Sequence, residues 1–394
     1  MTKGKSNKSP QASDGKVLNF DHLIFWVANA KTAASYFVTR FGFKLIATKD
    51  PSEAKPVVSY VVRQNKITIV FESPTSPGGD INKDLSAHGD FVKDVALEVQ
   101  ALDDLVACAR ARGADVRRDV TTESDEDGTV RYAVLRTYGD NTHTLIDRSQ
   151  YKGVFLPGYT PVQDDDPINT LLPDTQLLYI DHVEGNMADG TLEDSTSWYE
   201  KNLNMHRFWC VDYKHDITPY SCIKSTSVIN QEETVLLSMN EAAKGLRPTS
   251  KATEFVKALG TSGVEHIALY TDDIVATMRD LKARGADILV FPPTYYDVIK
   301  EKLSESSLKV HETIDELKEN HILIDFDERG YMLQAFTKHV QVRPTVFVEV
   351  IQRRNHRGFG AMNYKWVFEA IERLDASGDK KKEIPAKTEP ESEI

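Results

Sequence analysis

The sequence predicts an α+β fold in which tandem strand–helix–three-strand (βαβββ) modules form two open-barrel domains. One observation is the pentapeptide Ala-Arg-Gly-Ala-Asp, which occupies 111–115 and again 283–287, an offset of 172 residues (283 − 111). A second is the strand-like stretch 94–99, which corresponds to 265–270 at an offset of 171 (265 − 94). Self-similarity at a nearly fixed spacing indicates a repeated structural unit.

The first half contains two such modules. An apolar strand at 18–27 precedes a helix that ends at Gly42, a residue type that often follows a helix C-terminus. Three strand-like runs complete the first module, and a loop rich in Pro and Gly at 74–79 separates it from the second. The second module repeats this order with a strand at 92–99, a helix at 101–112 and strands at 116–120, 130–137 and 142–147.

The second half begins the pattern again, because Ile180-Asp181-His182-Val183 parallels Phe20-Asp21-His22-Leu23. The fourth module opens with the apolar strand 263–271 and then departs from the first half by an insertion. We expect two helices in this insertion, at 297–303 and 313–319. Strands at 322–326, 331–337 and 346–352 and a final helix at 363–374 follow.

These boundaries predict five segments. A disordered tail at 1–16 precedes a structural N-terminal domain at 17–160 and a linker at 161–176. A catalytic domain at 177–376 and a second disordered tail at 377–394 complete the chain.

Composition excludes several classes of function. The net charge is −12, which offers no electrostatic footprint for nucleic acid or an anionic membrane. Three cysteines form no disulfide framework and favour a reducing compartment. Because no secretory signal or membrane-spanning run is found, we expect a cytoplasmic protein.

The candidate chemistry lies in the second half. His182 and His266 occupy the first strands of two related modules, and Glu349 supplies a carboxylate amid apolar neighbours. Two histidines and one carboxylate on three strands are typical of the non-haem Fe(II) facial triad. A lone histidine on a strand is more often an ordinary core residue, so this prediction depends on the three residues together.

The first half serves as a negative control. Alignment of the two halves puts Val95 opposite His266 and Thr144 opposite Glu349, so that only His22 is retained. We therefore interpret His22 as a core histidine and the N-terminal half as structural. In the second half, strand alternation places Gln334 and Phe336 on the same face of their strand, and likewise Phe347 and Glu349 on the same face of theirs, which suits an aromatic substrate.

At these residues the chain resembles the 4-hydroxyphenylpyruvate dioxygenases of the vicinal oxygen chelate superfamily. The resemblance extends from about Leu18 to Leu374. Its strongest signature is Phe-Val-Glu-Val-Ile-Gln-Arg at 347–353, continued by Gly-Phe-Gly at 358–360.

The resemblance implies Fe(II) held by His182, His266 and Glu349, and the last helix as a lid over the site. It implies catalytic roles for Gln334, Phe336 and Asn240. It also implies a wider set of substrate contacts: Ser225, Asn240, Lys251, Glu265, Gln334, Phe336, Phe347, Phe359 and Asn363.

The implied reaction converts 4-hydroxyphenylpyruvate and O₂ into homogentisate and CO₂ by decarboxylation, ring hydroxylation and side-chain migration. The implied partners are therefore an aromatic 2-oxo acid and O₂, within a homodimer or homotetramer. Two alternatives remain open: a 4-hydroxymandelate synthase, which hydroxylates the benzylic carbon of the same keto acid, and an inactive binding protein that kept the fold.

Four positions depart from the family pattern: Tyr364 stands where the family usually has Phe, Met362 stands for a Gly, and the other two concern charge. Lys251 and Glu265 each stand where the family usually has glutamine. We expect these opposite charges to form an ion pair that replaces an amide–amide contact; the alternative is that one of the two side chains points to solvent.

Overall fold

The computed structural model describes residues 15–208, 220, 222–246 and 249–377. Each half of the chain contributes one mixed β-sheet with helices packed against it, which confirms the predicted α+β fold. The predicted tails at 1–16 and 377–394 lie almost wholly outside the described residues. Among the described helices, none is long and apolar enough to cross a membrane.

The first half forms a nine-stranded sheet with the order β6-β7-β8-β5-β1-β4-β3-β2-β9. Its strands are β1 (Lys16–Trp26), β2 (Lys44–Lys49), β3 (Val57–Gln64), β4 (Ile67–Pro74), β5 (Phe91–Gln100), β6 (Val116–Asp125), β7 (Gly128–Arg136), β8 (Thr142–Tyr151) and β9 (Thr160–Pro161). Its helices are α1 (Ala30–Phe41), α2 (Gly79–His88) and α3 (Leu102–Ala111), and the short α4 (Ile168–Leu171) follows.

The second half forms an eight-stranded sheet with the order β11-β12-β13-β10-β14-β17-β16-β15. Its strands are β10 (Tyr179–Met187), β11 (His206–Phe208), β12 (Ile223–Ile229), β13 (Leu236–Ala242), β14 (Gly263–Tyr270), β15 (Leu323–Phe326), β16 (Tyr331–Phe336) and β17 (Phe347–Arg354). Its helices are α5 (Leu192–Asn202), α6 (Lys251–Leu259), α7 (Ile274–Ala283), α8 (Pro293–Ser304), α9 (Ile314–Glu319) and α10 (Ala361–Ser377).

In each sheet, the first strands of the two modules lie side by side at the centre. β1 pairs antiparallel with β5, and β10 pairs antiparallel with β14. Each central strand also pairs in parallel with the last strand of its own module, as β14 does with β17. The sheet centre is therefore where side chains from three strands of the second half converge.

β-Bulges interrupt the central pairing at matching places in both sheets. The ladder skips Asp21 in β1 and Asp181 in β10, and it skips Lys93 in β5 and Glu265 in β14. An extra residue in one strand changes the direction of the neighbouring side chains, so that they no longer alternate regularly between the two faces of the sheet.

The register corrects one alignment that we drew from the sequence. His22 pairs with Ala96 and His182 pairs with Ala268, so the offset between these strands is 172 (268 − 96) throughout. Asp94 is therefore the counterpart of His266, and the prediction that Val95 holds that position is wrong by one residue. Thr144 is still the counterpart of Glu349, because Leu97 pairs with Leu145 as Leu269 pairs with Val350.

Apart from the single-turn α4, two of the described helices were not predicted. α2 follows the Pro- and Gly-rich loop directly, and α6 precedes β14. The side chain of Ser250 caps α6 by accepting a hydrogen bond from the backbone of Ala252, and Phe255 and Leu259 pack beneath it. Both helices line the contact between the two halves, where His88 in α2 hydrogen-bonds the carbonyl of Leu259.

Candidate metal centre

Three buried donor atoms meet at the centre of the second sheet. His182 on β10, His266 on β14 and Glu349 on β17 lie on three adjacent strands. The Nε2 atoms of the two histidines are 3.2 Å apart. Oε2 of Glu349 is 3.1 Å from Nε2 of His266 and 3.6 Å from Nε2 of His182. The structure thus brings the three predicted ligands together.

The donor set fits a divalent metal ion. Donor atoms about 2.1 Å from a metal ion lie about 3.0 Å apart at right angles and about 3.4 Å apart at tetrahedral angles. The three separations here fall around these values. Two imidazoles and a carboxylate on one side of such an ion suit Fe(II), with the opposite side left for other ligands.

A carboxylate behind His182 holds its ring in place. Nδ1 of His182 is 2.7 Å from Oδ2 of Asp181, the residue that the β10 bulge turns inward. Arg353 in turn donates Nε–H to Oδ1 and Nη2–H to Oδ2 of Asp181, both at 2.8 Å. A carboxylate that accepts the Nδ1 proton leaves the Nε2 lone pair free for a metal ion and fixes the ring orientation.

The electrostatics of the three donors are strongly coupled. Burial acts to raise the pKa of Glu349, but contacts with His182 and His266 outweigh it and lower that pKa to about 2. Burial acts to lower the pKa of His182, but Asp181 and Glu349 raise it to about 9. The carboxylate therefore stays ionised, and a metal ion has to displace the proton that the imidazoles otherwise hold.

A hydrogen-bond chain links Glu349 to the last helix. Gln334 donates from Nε2 to Oε1 of Glu349 at 2.8 Å, and its own Oε1 accepts from Nδ2 of Asn363 at 3.0 Å. Oδ1 of Asn363 accepts from the hydroxyl of Tyr295 at 2.7 Å. Gly360, at φ +75°, precedes this helix, and a Cβ there would lie 1.8 Å from Oε1 of Gln334.

Aromatic rings surround the donors. Phe347 stacks on His266 with ring centroids 4.9 Å apart, and Phe336 meets Phe347 edge-on at 5.9 Å. Phe359 meets His182 edge-on at 5.2 Å. These three side chains, all predicted from the sequence, make the surroundings of the donors apolar on two sides.

Polar side chains form a second network beside His266. The hydroxyl of Ser225 donates to Oδ1 of Asn240, and Nδ2 of Asn240 donates to Oε1 of Glu184 at 2.5 Å. Glu265 lies beside Glu184, because the β14 bulge turns its side chain toward this group. Burial and then the charge of Glu184 raise the pKa of Glu265 to about 7.

The predicted ion pair between Lys251 and Glu265 is wrong. Lys251 is exposed on the first turn of α6, and no ion pair joins it to Glu265 among the described residues. Its positive charge acts on Glu265 only from a distance, lowering that pKa slightly against the larger effects. The carboxylate turns into the barrel, whereas the flexible lysine side chain stays in water.

Four residues of this centre were missed in the sequence: Asp181, Glu184, Tyr295 and Arg353. Asp181 and Arg353 carried a signal, because the dipeptide Asp-His and the arginine at the end of the last strand occur in both halves. Glu184 carried none, since its role depends on which residue of β14 it faces. Tyr295 belongs to the insertion, which has no counterpart in the first half.

Comparison with known proteins gives a consistent assignment. Residues 179–298 match a family model described as the Glyoxalase/Bleomycin resistance protein/Dioxygenase superfamily. A 4-hydroxyphenylpyruvate dioxygenase from Xenopus tropicalis is 46% identical over 95% of this chain and 96% of its own length. The enzyme of that name from Caenorhabditis elegans is 44% identical over 93% of this chain and 94% of its own.

A solved structure adds support for the fold. A triple mutant of 4-hydroxymandelate synthase from Streptomyces coelicolor superposes with a TM-score of 0.74 at 26% identity, covering 91% of this chain and 99% of that one.

Proposed function

The chain belongs to the 4-hydroxyphenylpyruvate dioxygenase family, and from that premise we propose that it converts 4-hydroxyphenylpyruvate and O₂ into homogentisate and CO₂. The observation that carries this proposal is the buried donor triad of His182, His266 and Glu349. The reaction balances without a further reductant, because both oxygen atoms of O₂ enter the products.

We propose Fe(II) as the metal ion that this triad holds. When bound, it would supply the site for the 2-oxo acid and for O₂ and the electrons that activate O₂. Asp181 and Arg353 fix the ring of His182, which would leave its Nε2 atom free to bind the ion.

The remaining side chains bind and enclose the substrate. Phe336, Phe347 and Phe359 offer the apolar faces and edges that hold an aromatic ring. Gln334 fixes one oxygen of Glu349 and ties it to Asn363 at the start of α10. α10 would thereby act as a lid that excludes water while the reaction proceeds.

We further propose the division of labour expected from the sequence. Residues 17–160 form a structural domain, and residues 177–376 form the catalytic one, joined by the segment 161–176.

The family resemblance also supports a homodimer or homotetramer, and the few cysteines support a cytoplasmic location. Light scattering of the purified protein measures the oligomeric state.

Product analysis tests the proposed activity. The Fe(II)-loaded protein is mixed with 4-hydroxyphenylpyruvate while O₂ uptake and CO₂ release are recorded, and the products are separated by chromatography. We expect homogentisate, with one CO₂ released for each O₂ consumed.

Two other outcomes would contradict the proposal. Formation of 4-hydroxymandelate would assign the chain to the benzylic reaction, the activity named for the structural relative from Streptomyces coelicolor. A protein that binds no iron and consumes no O₂ with the keto acid would instead be a binding protein that retains the fold.

A further inference from the structure

The two histidines of the metal centre differ in what lies behind them. Nδ1 of His182 is hydrogen-bonded to Asp181, whereas Nδ1 of His266 is buried and has no hydrogen-bond partner among the described residues. His266 is only 6% exposed, and its Nδ1 atom is itself buried. A buried polar atom of this kind calls for an explanation.

Strand pairing brings one carboxylate to this nitrogen. Glu184 on β10 is the direct cross-strand partner of His266 on β14, and opposite residues of an antiparallel pair have neighbouring side chains. Oε1 of Glu184 is 3.5 Å from Nδ1 of His266, and no other carboxylate of the described residues forms an ion-pair contact with that atom. Glu184 is itself only 7% exposed and is anchored by Asn240.

The chemistry of metal binding decides which proton needs an acceptor. Nε2 of His266 faces the other two donors, so a metal ion there takes the Nε2 lone pair and leaves the ring proton on Nδ1. A buried N–H group without an acceptor costs about 1–3 kcal/mol. A shift of the Glu184 carboxylate by about 0.5 Å would bring the pair within normal hydrogen-bond distance.

We propose that Glu184 is a positioning residue that accepts the Nδ1 proton of His266 and so orients its Nε2 atom toward the metal ion. Each metal-binding histidine then has its own carboxylate, Asp181 behind His182 and Glu184 behind His266. The inference rests on the metal centre of the proposed function and assigns a role within it to a residue that carried no signal in the sequence.

Glu265 provides a matched control. Its carboxylate belongs to the same group of donors, all within 4.8 Å of one another, but it makes no ion-pair contact with His266. It is also less buried than Glu184. Above about pH 8 the Glu265 carboxyl is ionised, so Glu265→Gln then removes a negative charge beside Glu184, but only Glu184 is placed to hold the Nδ1 proton.

Co(II) binding to the full-length protein tests the proposal without turnover. The visible absorption of bound Co(II) gives the dissociation constant, and proton NMR of the Co(II) form shows an exchangeable, paramagnetically shifted N–H signal for each bound histidine. For Glu184→Val we expect affinity to fall about 10- to 100-fold, the usual effect of losing such a partner. We also expect one of the two N–H signals to be lost through fast exchange.

Two further variants complete the design. Glu184→Gln keeps the shape and an acceptor oxygen, so it should fold, bind Co(II) with intermediate affinity and retain both N–H signals. Glu265→Gln should bind Co(II) within about threefold of the wild type.

Three outcomes would overturn the inference. Retention of both N–H signals and of wild-type affinity in Glu184→Val would remove the proposed role. Equal weakening by Glu184→Gln and Glu265→Gln would assign the effect to charge alone. A wild-type protein that binds no Co(II) would contradict the metal centre itself, and with it the proposed function.

Discussion

The two halves of the molecule place the same Asp–His–Arg arrangement at the same point of their sheets. In the second half Arg353 holds Asp181, which holds His182; in the first half Arg148 holds Asp21, which holds His22. Even the edge-on phenylalanine recurs, with Phe155 against His22 and Phe359 against His182. A carboxylate–histidine pair held by arginine is therefore part of the repeated fold and does not by itself make a metal site.

The difference lies in the two neighbouring strands. Asp94 and Thr144 stand where the second half has His266 and Glu349. Oδ1 of Asp94 accepts from the backbone of Thr144, and Oδ2 accepts from the hydroxyl of Thr142. Both oxygens of the Asp94 carboxylate therefore accept hydrogen bonds within the first half. Among the described residues, the first half keeps the Asp–His–Arg arrangement but has no group of three metal-binding side chains like the triad.

The largest expected effect comes from removing the corresponding histidine in each half. His182→Ala should lower kcat/KM by more than about 100-fold, because losing only the partner of a metal ligand costs 10- to 100-fold. His22→Ala should leave kcat/KM within about threefold, although it destabilises the fold by about 2 kcal/mol through loss of the buried hydrogen bond between His22 and Asp21. Steady-state kinetics and bound-iron analysis measure both; equal losses of activity would break the comparison.

The arginines should separate stability from metal binding. Arg353→Met and Arg148→Met each leave a buried aspartate without its cation, so both should lower the free energy of unfolding by an amount on the order of 3 kcal/mol. Only Arg353→Met should also weaken metal affinity, by about 10-fold or more. Urea unfolding and Co(II) titration give the two quantities, and a loss of affinity in Arg148→Met would argue against a purely structural first half.

Helix α10, the proposed lid, belongs to the second half, and Asn363→Ala tests its link to Glu349. The variant removes the bond that joins α10 to Gln334, and we expect kcat to fall roughly tenfold, equivalent to about 1.4 kcal/mol. Hydrogen exchange of α10 should also rise. The control is Thr294→Ala, which removes a different bond to the same helix and should leave kcat nearly unchanged.

The smallest effect on activity concerns a buried histidine of the first half. Burial lowers the pKa of His143 to about 4, whereas the charges around His182 raise its pKa. Since unfolded His143 would titrate near its ordinary value of about 6.5, its contribution to stability is present above that pH and is lost as the pH falls toward 4. The loss amounts to roughly 3 kcal/mol. The melting temperature of His143→Gln should change less with pH between about 6.5 and 4 than that of the wild type. Its activity at pH 7 should be unchanged.

Much of this could be predicted because repeated modules leave repeated patterns. The order of the main strands and of most helices follows from periodicity, and the two histidines and Glu349 stand out as residue types that are unusual in a core. The bulges could not be predicted, since the extra residue at Glu265 or Asp181 has no local signature and is defined only by its partner strand. The alignment slipped to Val95 because 94–99 was matched to 265–270 at an offset of 171, whereas the pentapeptide offset of 172 agrees with the strand pairing. Glu184 passed unnoticed because only the strand pairing shows that it faces His266. Lys251 could not be placed either, because nothing in a sequence reports whether a long side chain turns inward or toward water.

The hydrogen-bond chain from Glu349 through Gln334 and Asn363 to Tyr295 also has a thermodynamic consequence. With α10 as the proposed lid, this chain would link closure of the helix to metal occupancy of the triad, and such linkage is reciprocal. Any factor by which the closed helix strengthens metal binding is the factor by which the metal ion favours closure. Gly360 has no side chain that would collide with Gln334, so Gln334 can hydrogen-bond both to Glu349 and to Asn363.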